Sequence, residues 1–156
     1  MKYYSTNDKN IRTSLQQAVV KGLAPDKGLF MPERINKLPD SLFNNIKEMG
    51  LHDIAKVVAN SFFGDDIEDG ELNRITEETL SFEIPIVEVD KNIFALELFH
   101  GPTFAFKDVG ARFMARMLSH FADKKQQGIV NVLVATSGDT GSAVANGFLG
   151  GKDINV

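Results

Sequence analysis

Residues 129–135, IVNVLVA, pass without a break into TSGDTGSAVANGF, and this junction constrains the fold more than any other feature of the chain. A near-continuous apolar run suits a strand buried on both faces of a parallel sheet. The glycines at 138 and 141 predict a tight loop after that strand, and the small residues beyond them a helix. Upstream, Val109, Phe113, Met117 and Phe121 recur every four residues and predict one apolar side of a helix over roughly 105–122. Downstream, KDINV reads as the opening of another strand. Strand, helix, strand, helix, strand is a βαβ pattern, so the expected class is α/β.

The first half has a different texture. Ser14 with Gln17 three residues later suggests a capping box for a helix ending at Gly22, and Asp40 a cap for a second helix stopping at Gly50. Leu51, Ile54, Ala55, Val58 and Phe62 have amphipathic spacing closed by Gly64, and residues 71–80 read as a fourth helix. Between the first two, GLAPDKGLFMPE places Pro25, Asp26 and Gly28 in a tight turn leading into a short strand. Apolar runs over 84–89 and 93–98, separated by Asp90, Lys91 and Asn92, predict a hairpin. The expected organisation is a helical domain over 1–80, followed by the opening of an α/β domain over 81–156. Val156 falls inside an apparent strand, so a piece of a longer protein is expected.

Composition excludes several functions. The formal charge of −4 comes without any Lys/Arg block longer than two residues, which leaves no basic footprint for nucleic acid. There is no Cys, so disulfides, thiolate metal sites and cysteine nucleophiles are all ruled out; a reducing, cytoplasmic setting fits. No run approaches the roughly 18 apolar residues of a membrane span.

Two segments are suited to chemistry. In FHGPTFAFKDVGAR, Lys107 opens a helix after the Gly101–Pro102 turn, flanked by Phe104, Ala105, Phe106 and Val109. A lysine that loses hydration among such neighbours reaches its neutral, nucleophilic amine more easily, as imine chemistry requires. A solvated lysine paired with Asp108 is the plain alternative. In ATSGDTGSA, Gly138 and Gly141 allow close backbone approach, while N–H groups and the Ser137, Thr140 and Ser142 hydroxyls suit a carboxylate or phosphate. A capped strand-to-helix turn is the plain reading there. The dinucleotide glycine fingerprint is absent, and Lys152 lacks the first glycine of a Walker loop, since Asn146 stands in its place. Both segments follow strands, where ligands of open α/β sheets gather. A lysine amine facing an anion-holding loop is what an enzyme handling an amino acid through an imine needs.

FHGPTFAFKD followed about thirty residues later by ATSGDTGSA resembles the paired signature of the threonine synthase family, within the tryptophan-synthase-β-like, fold-type II enzymes that use pyridoxal 5'-phosphate. YSTN and GLAPDKGLFMPE are similar to that family's opening segment, with Lys27 standing where a glycine is expected. The resemblance implies conversion of O-phospho-L-homoserine and water to L-threonine and phosphate. It further implies that Lys107 carries the cofactor as an internal aldimine and shuttles protons once released. Ser137, Gly138, Asp139, Thr140 and Gly141 match the loop that grips the substrate carboxylate, with Asp139 near the cofactor ring. His100, Thr103 and Phe106 match the approach to the lysine and shape the pocket. The family's loop for the cofactor phosphate and its residue facing the pyridine nitrogen match nothing in these residues. A related phospholyase or hydroxy-amino-acid dehydratase shares these features, and a folding or interaction module is the non-enzymatic alternative.

The remaining polar residues receive plain readings. His52 and His120 are expected on helix surfaces, and the acidic run Asp65, Asp66, Glu68, Asp69 and Glu71 lacks the spacing of a calcium loop, so no metal is expected. Arg112, one turn beyond Asp108, is expected to pair with it, with a substrate phosphate as the alternative partner.

Overall fold

The computed structural model describes residues 1–122, 129–151 and 154–156. The chain divides into two compact units, Met1–Glu77 and Glu78–Val156. The first contains β1 (Lys2–Ser5), β2 (Arg12–Ser14), α1 (Leu15–Lys21), β3 (Phe30–Pro32), α2 (Asp40–Asn45), a 3-10 turn (Ile46–Glu48) and α3 (Leu51–Phe63), with most of α4 (Asp69–Thr79). Sequence reading expects helices here with a single short strand. The structure adds two more, forming an antiparallel sheet ordered β2-β1-β3. Strands of three and four residues are too short to display a period-2 pattern. They exist through pairing, which turns Tyr3, Ser5 and Thr13 inward.

Local chemistry accounts for the helix ends. The Ser14 hydroxyl accepts the Gln17 N–H at 3.3 Å, but the Gln17 carboxamide takes the Thr13 hydroxyl instead of reaching back, so only half of the expected box forms. Asp40 lies inside the first turn of α2, after the N-cap Pro39, and does not cap it. The helix tightens into the 3-10 turn before Gly50. The Asp53 carboxylate accepts the Gly50 N–H at 3.1 Å and closes the start of α3, which ends at Gly64. Leu15, Leu42, Ile67, Leu72 and Ile75 form the core of this unit.

The turn before β3 is fastened by Asp26, whose carboxylate accepts the Ser5 hydroxyl at 2.7 Å and the Gly28 N–H at 3.0 Å. Those two bonds, the first above all, hold its carboxyl below the usual carboxylate range. Lys27 has φ +67°, the left-handed conformation that explains why glycine suits this place.

The second unit holds β4 (Ile86–Asp90), β5 (Ile93–Leu96), α5 (Lys107–Ala122), β6 (Val130–Asn131), α6 (Asp139–Gly147) and β7 (Ile154–Asn155). β4 and β5 pair as the expected antiparallel hairpin around Lys91 and Asn92, the latter at φ +60°. β6 and β7 pair in parallel across α6, giving one βαβ unit. The run over 129–135 differs from expectation: only Val130 and Asn131 are in a strand, and Leu133 is 94% exposed. A strand is buried by its neighbours, and β6 has one short partner and no second sheet neighbour among the described residues. Lys152 lies outside the described residues. No helix among those described is long and apolar enough to cross a membrane.

α5 packs against α6 through small residues. Ala111, Ala115 and Ala143 are buried, and a methyl group on Gly147 would sit 3.0 Å from the Ala111 carbonyl oxygen. Backbones that approach this closely bring together the loops that precede the two helices, and the chemistry-bearing residues lie there.

Candidate functional site

Lys107 is the first residue of α5, and its Nζ donates to Thr140 Oγ1 at 2.6 Å. The two residues are 33 apart in sequence, so close packing of α5 on α6 creates this contact and no local rule does. The lysine and the glycine loop therefore share one place. The expected desolvating cluster does not form. Phe104 and Phe106 are 81% and 64% exposed, because the turn directs Ala105 and Asp108 inward and the two rings outward. Phe106 still offers its ring face, with Nζ 5.8 Å from the centroid.

The loop itself is organised by a residue that sequence reading left out. Thr136 Oγ1 accepts the Gly138 N–H at 3.1 Å and the Gly141 N–H at 3.3 Å. Gly138, the N-cap of α6, has φ +154° and no side chain with which to cap. The Thr136 hydroxyl does that work from two residues upstream. A side chain on Gly141 would collide with the Thr136 methyl group. Two of the amides expected to hold an anion are thus already engaged. Among the described residues, the N–H groups of Ser137, Asp139 and Thr140 make no hydrogen bond. Ser137, Gly138 and Asp139 are exposed, and the Asp139 carboxylate lies in the first turn of α6, where it complements the helix dipole. A threonine immediately before a glycine loop is the signal that identifies such a cap.

The other expected site residues are tied elsewhere. His100 Nε2 lies 2.6 Å from Glu97 Oε2, with its ring stacked on Phe99 at 4.8 Å between centroids. Thr103 donates to Asp108 twice, from its N–H to Oδ2 at 2.9 Å and from its hydroxyl to Oδ1 at 2.7 Å. Asp108 is fully buried, so it is not the solvated partner of Lys107 considered from sequence. Nor does it pair with Arg112. That guanidinium bonds the carbonyl oxygens of Glu78 and Thr79 at 2.6 and 3.2 Å and the Ser81 hydroxyl at 2.7 Å. Helix spacing made Asp108 and Arg112 neighbours, but burial of one and long reach of the other separated them.

The acidic run behaves as surface. Asp65 pairs with Arg34 at 3.0 Å, and Asp69 accepts from Asn60 at 2.7 Å. Among the described residues, no group of three or more His, Asp or Glu side chains is arranged to hold a metal ion. His120 meets Phe121 edge-on at 4.9 Å.

The family profile described as "Threonine synthase N terminus" matches residues 2–80. The chain is similar to threonine synthase of Escherichia coli, 42% identical over 160 residues that take in 100% of this chain and 36% of that protein. It is also similar to threonine synthase of Schizosaccharomyces pombe, at 35% identity over 99% of this chain and 32% of the relative. The crystal structure of the Escherichia coli enzyme superposes with a TM-score of 0.90 at 38% identity, covering 100% of this chain and 36% of that one. A pyridoxal-phosphate-bound threonine synthase from Brucella melitensis gives a TM-score of 0.91 at 32% identity, over 99% of this chain and 34% of its own. The chain spans about a third of the length of the curated relatives it matches.

Proposed function

The chain belongs to the threonine synthase family through its N-terminal domain, and from that premise we propose that the full-length protein converts O-phospho-L-homoserine and water to L-threonine and phosphate. One observation carries the reading: the Lys107 amine donates to Thr140 of the glycine loop at 2.6 Å. Residues 1–80 are then the N-terminal domain and residues 81–156 the opening of the catalytic α/β domain, in a cytoplasmic enzyme.

The chemistry of this set suits pyridoxal 5'-phosphate. Lys107 offers a half-exposed primary amine to an aldehyde, Phe106 offers a ring face beside it, and Asp139 opens α6 next to Thr140, the residue that the amine contacts. The cofactor, when bound, supplies an electron sink for the pair left behind as a proton leaves substrate carbon. The chain's own residues do the rest. The uncommitted N–H groups of Ser137, Asp139 and Thr140, with the Ser137 and Thr140 hydroxyls, orient the substrate carboxylate and so align the Cα–H bond. Gly138 lets the backbone approach that carboxylate, and Gly141 makes room for the Thr136 methyl group that steadies the loop. The Lys107 amine takes a proton from Cα and another from Cβ, which permits departure of the γ-phosphate, and it returns protons to Cγ and Cα while the oxygen of water adds at Cβ. His100 and Thr103 wall the approach.

Replacement of Lys107 by Ala in the full-length protein is expected to abolish both the visible absorption of bound cofactor and turnover. Persistence of both would overturn this mechanism. Product analysis with O-phosphohomoserine separates a threonine synthase from a phospholyase or dehydratase that has the same lysine and loop.

A further inference from the structure

We propose that Asp108 is a positioning residue, whose buried carboxylate clamps residues 101–104 through Thr103 and thereby fixes the direction in which Lys107 leaves α5. The proposal rests on the function assigned to Lys107 above and deepens it.

Three observations meet at this carboxylate. Asp108 has no exposed surface, and both of its oxygens are used by Thr103, at 2.7 and 2.9 Å. Gly101 lies so close that a methyl group there would be 2.5 Å from Asp108 Oδ2, so the turn wraps directly around the acid. Phe104, which closes the turn through an N–H bond to the Gly101 carbonyl at 3.1 Å, has φ +56°.

That conformation costs a non-glycine residue about 1–2 kcal/mol. The Phe104 ring is 81% exposed, so its burial does not offset the strain. Among the described residues no cation pairs with Asp108, and its charge is compensated only by the two Thr103 donors and the first turn of α5. A buried acid without a cation is an expensive way to hold a turn. What the arrangement secures is Lys107, placed between the outward Phe106 and the fixed Asp108. The side chain of a residue flanked by an immobile neighbour leaves the helix along one direction, and imine formation requires that direction to be correct to a fraction of an ångström.

The test uses the full-length protein with three substitutions. Thr103→Val removes only the hydroxyl arm, Asp108→Ala removes both arms, and Asp108→Asn retains both, since its amide oxygen accepts the Thr103 N–H and its NH₂ donates to the Thr103 hydroxyl. Each protein is mixed with pyridoxal phosphate and reduced with borohydride, and the pyridoxyl group on Lys107 is quantified over time by peptide mass spectrometry. Turnover is measured alongside. Asp108→Ala is expected to slow adduct formation and kcat by roughly 100-fold, with KM held within about two-fold, as for an ångström-scale misplacement. Thr103→Val is expected to give a loss of about 10-fold, and Asp108→Asn to recover to within about three-fold of the unsubstituted protein. If Asp108→Ala does not fold, the Thr103→Val and Asp108→Asn comparison decides alone. A Thr103→Val protein that labels at the normal rate, or an Asp108→Asn protein as impaired as the alanine variant, overturns the clamp. Failure of the unsubstituted protein to label at Lys107 overturns the proposed function, and the clamp with it; equal labelling in all proteins overturns the clamp alone.

Discussion

Substituting Gly101 by Ala measures how rigidly the turn before α5 is held. The added methyl group would stand 2.5 Å from Asp108 Oδ2, 2.9 Å from its Cβ and 3.0 Å from its Cγ. Ordinary contact between these atoms needs roughly 3.5 Å, so the group must move by close to an ångström. Asp108 is ill placed to give way, because it is fully buried and both of its oxygens are bonded to Thr103. Overpacking of this kind costs about 1–3 kcal/mol. Gly101 is not in the left-handed region, so alanine also brings a gain of about 0.4–1 kcal/mol by restricting the unfolded chain. The balance is a loss of about 1–2 kcal/mol. Urea denaturation followed by far-ultraviolet circular dichroism is expected to show a lower midpoint with an unchanged slope. Repeating the substitution in an Asp108→Ala background removes two of the three close atoms, and a coupling of at least about 1 kcal/mol is expected. A neutral or stabilising Gly101→Ala, or strict additivity of the two changes, would refute the idea that the turn is wrapped on a fixed carboxylate.

Other perturbations test separate parts of the molecule. Lys27→Gly relieves a φ of +67° and is expected to raise stability by up to about 1 kcal/mol, the strain relief exceeding the entropy cost of glycine; an unchanged or lower urea midpoint would contradict it. Tyr3 is buried, and its phenol is pushed up to about 12 by burial first and then by the Asp66 and Asp65 carboxylates. Because the unfolded chain releases this proton near pH 10, the stabilisation is whole below that pH and is lost as pH rises toward 12, by on the order of 1–2 kcal/mol. Tyr3→Phe is expected to flatten that part of the stability profile, and identical slopes for the two proteins would exclude this origin. Thr136→Val leaves the Gly138 and Gly141 N–H groups without their acceptor and is expected to cost about 1 kcal/mol, whereas Thr136→Ser costs less; equal midpoints for Val and Ser would show that the hydroxyl does not hold the loop.

Local signals in the sequence determined individual helices. Four-residue spacing of Val109, Phe113, Met117 and Phe121 set α5 and the glycine after α3 stopped it, because both effects act within a turn or two of chain. The hairpin was legible for the same reason, as was the α/β class. Tertiary structure decided what long-range contact alone can decide. The sheet β2-β1-β3 forms from strands too short to announce themselves. Residues 132–135 lie outside any strand, since apolar composition shows what burial would favour and not whether a neighbour is there to provide it. Small residues between α5 and α6 set the helices close enough for Lys107 to reach Thr140, and burial gave Asp108 to Thr103 when helix spacing alone offered it Arg112. Periodicity fixes which face of an element is apolar, but partners across tens of residues are chosen by the packing of whole elements, which no short window of sequence contains.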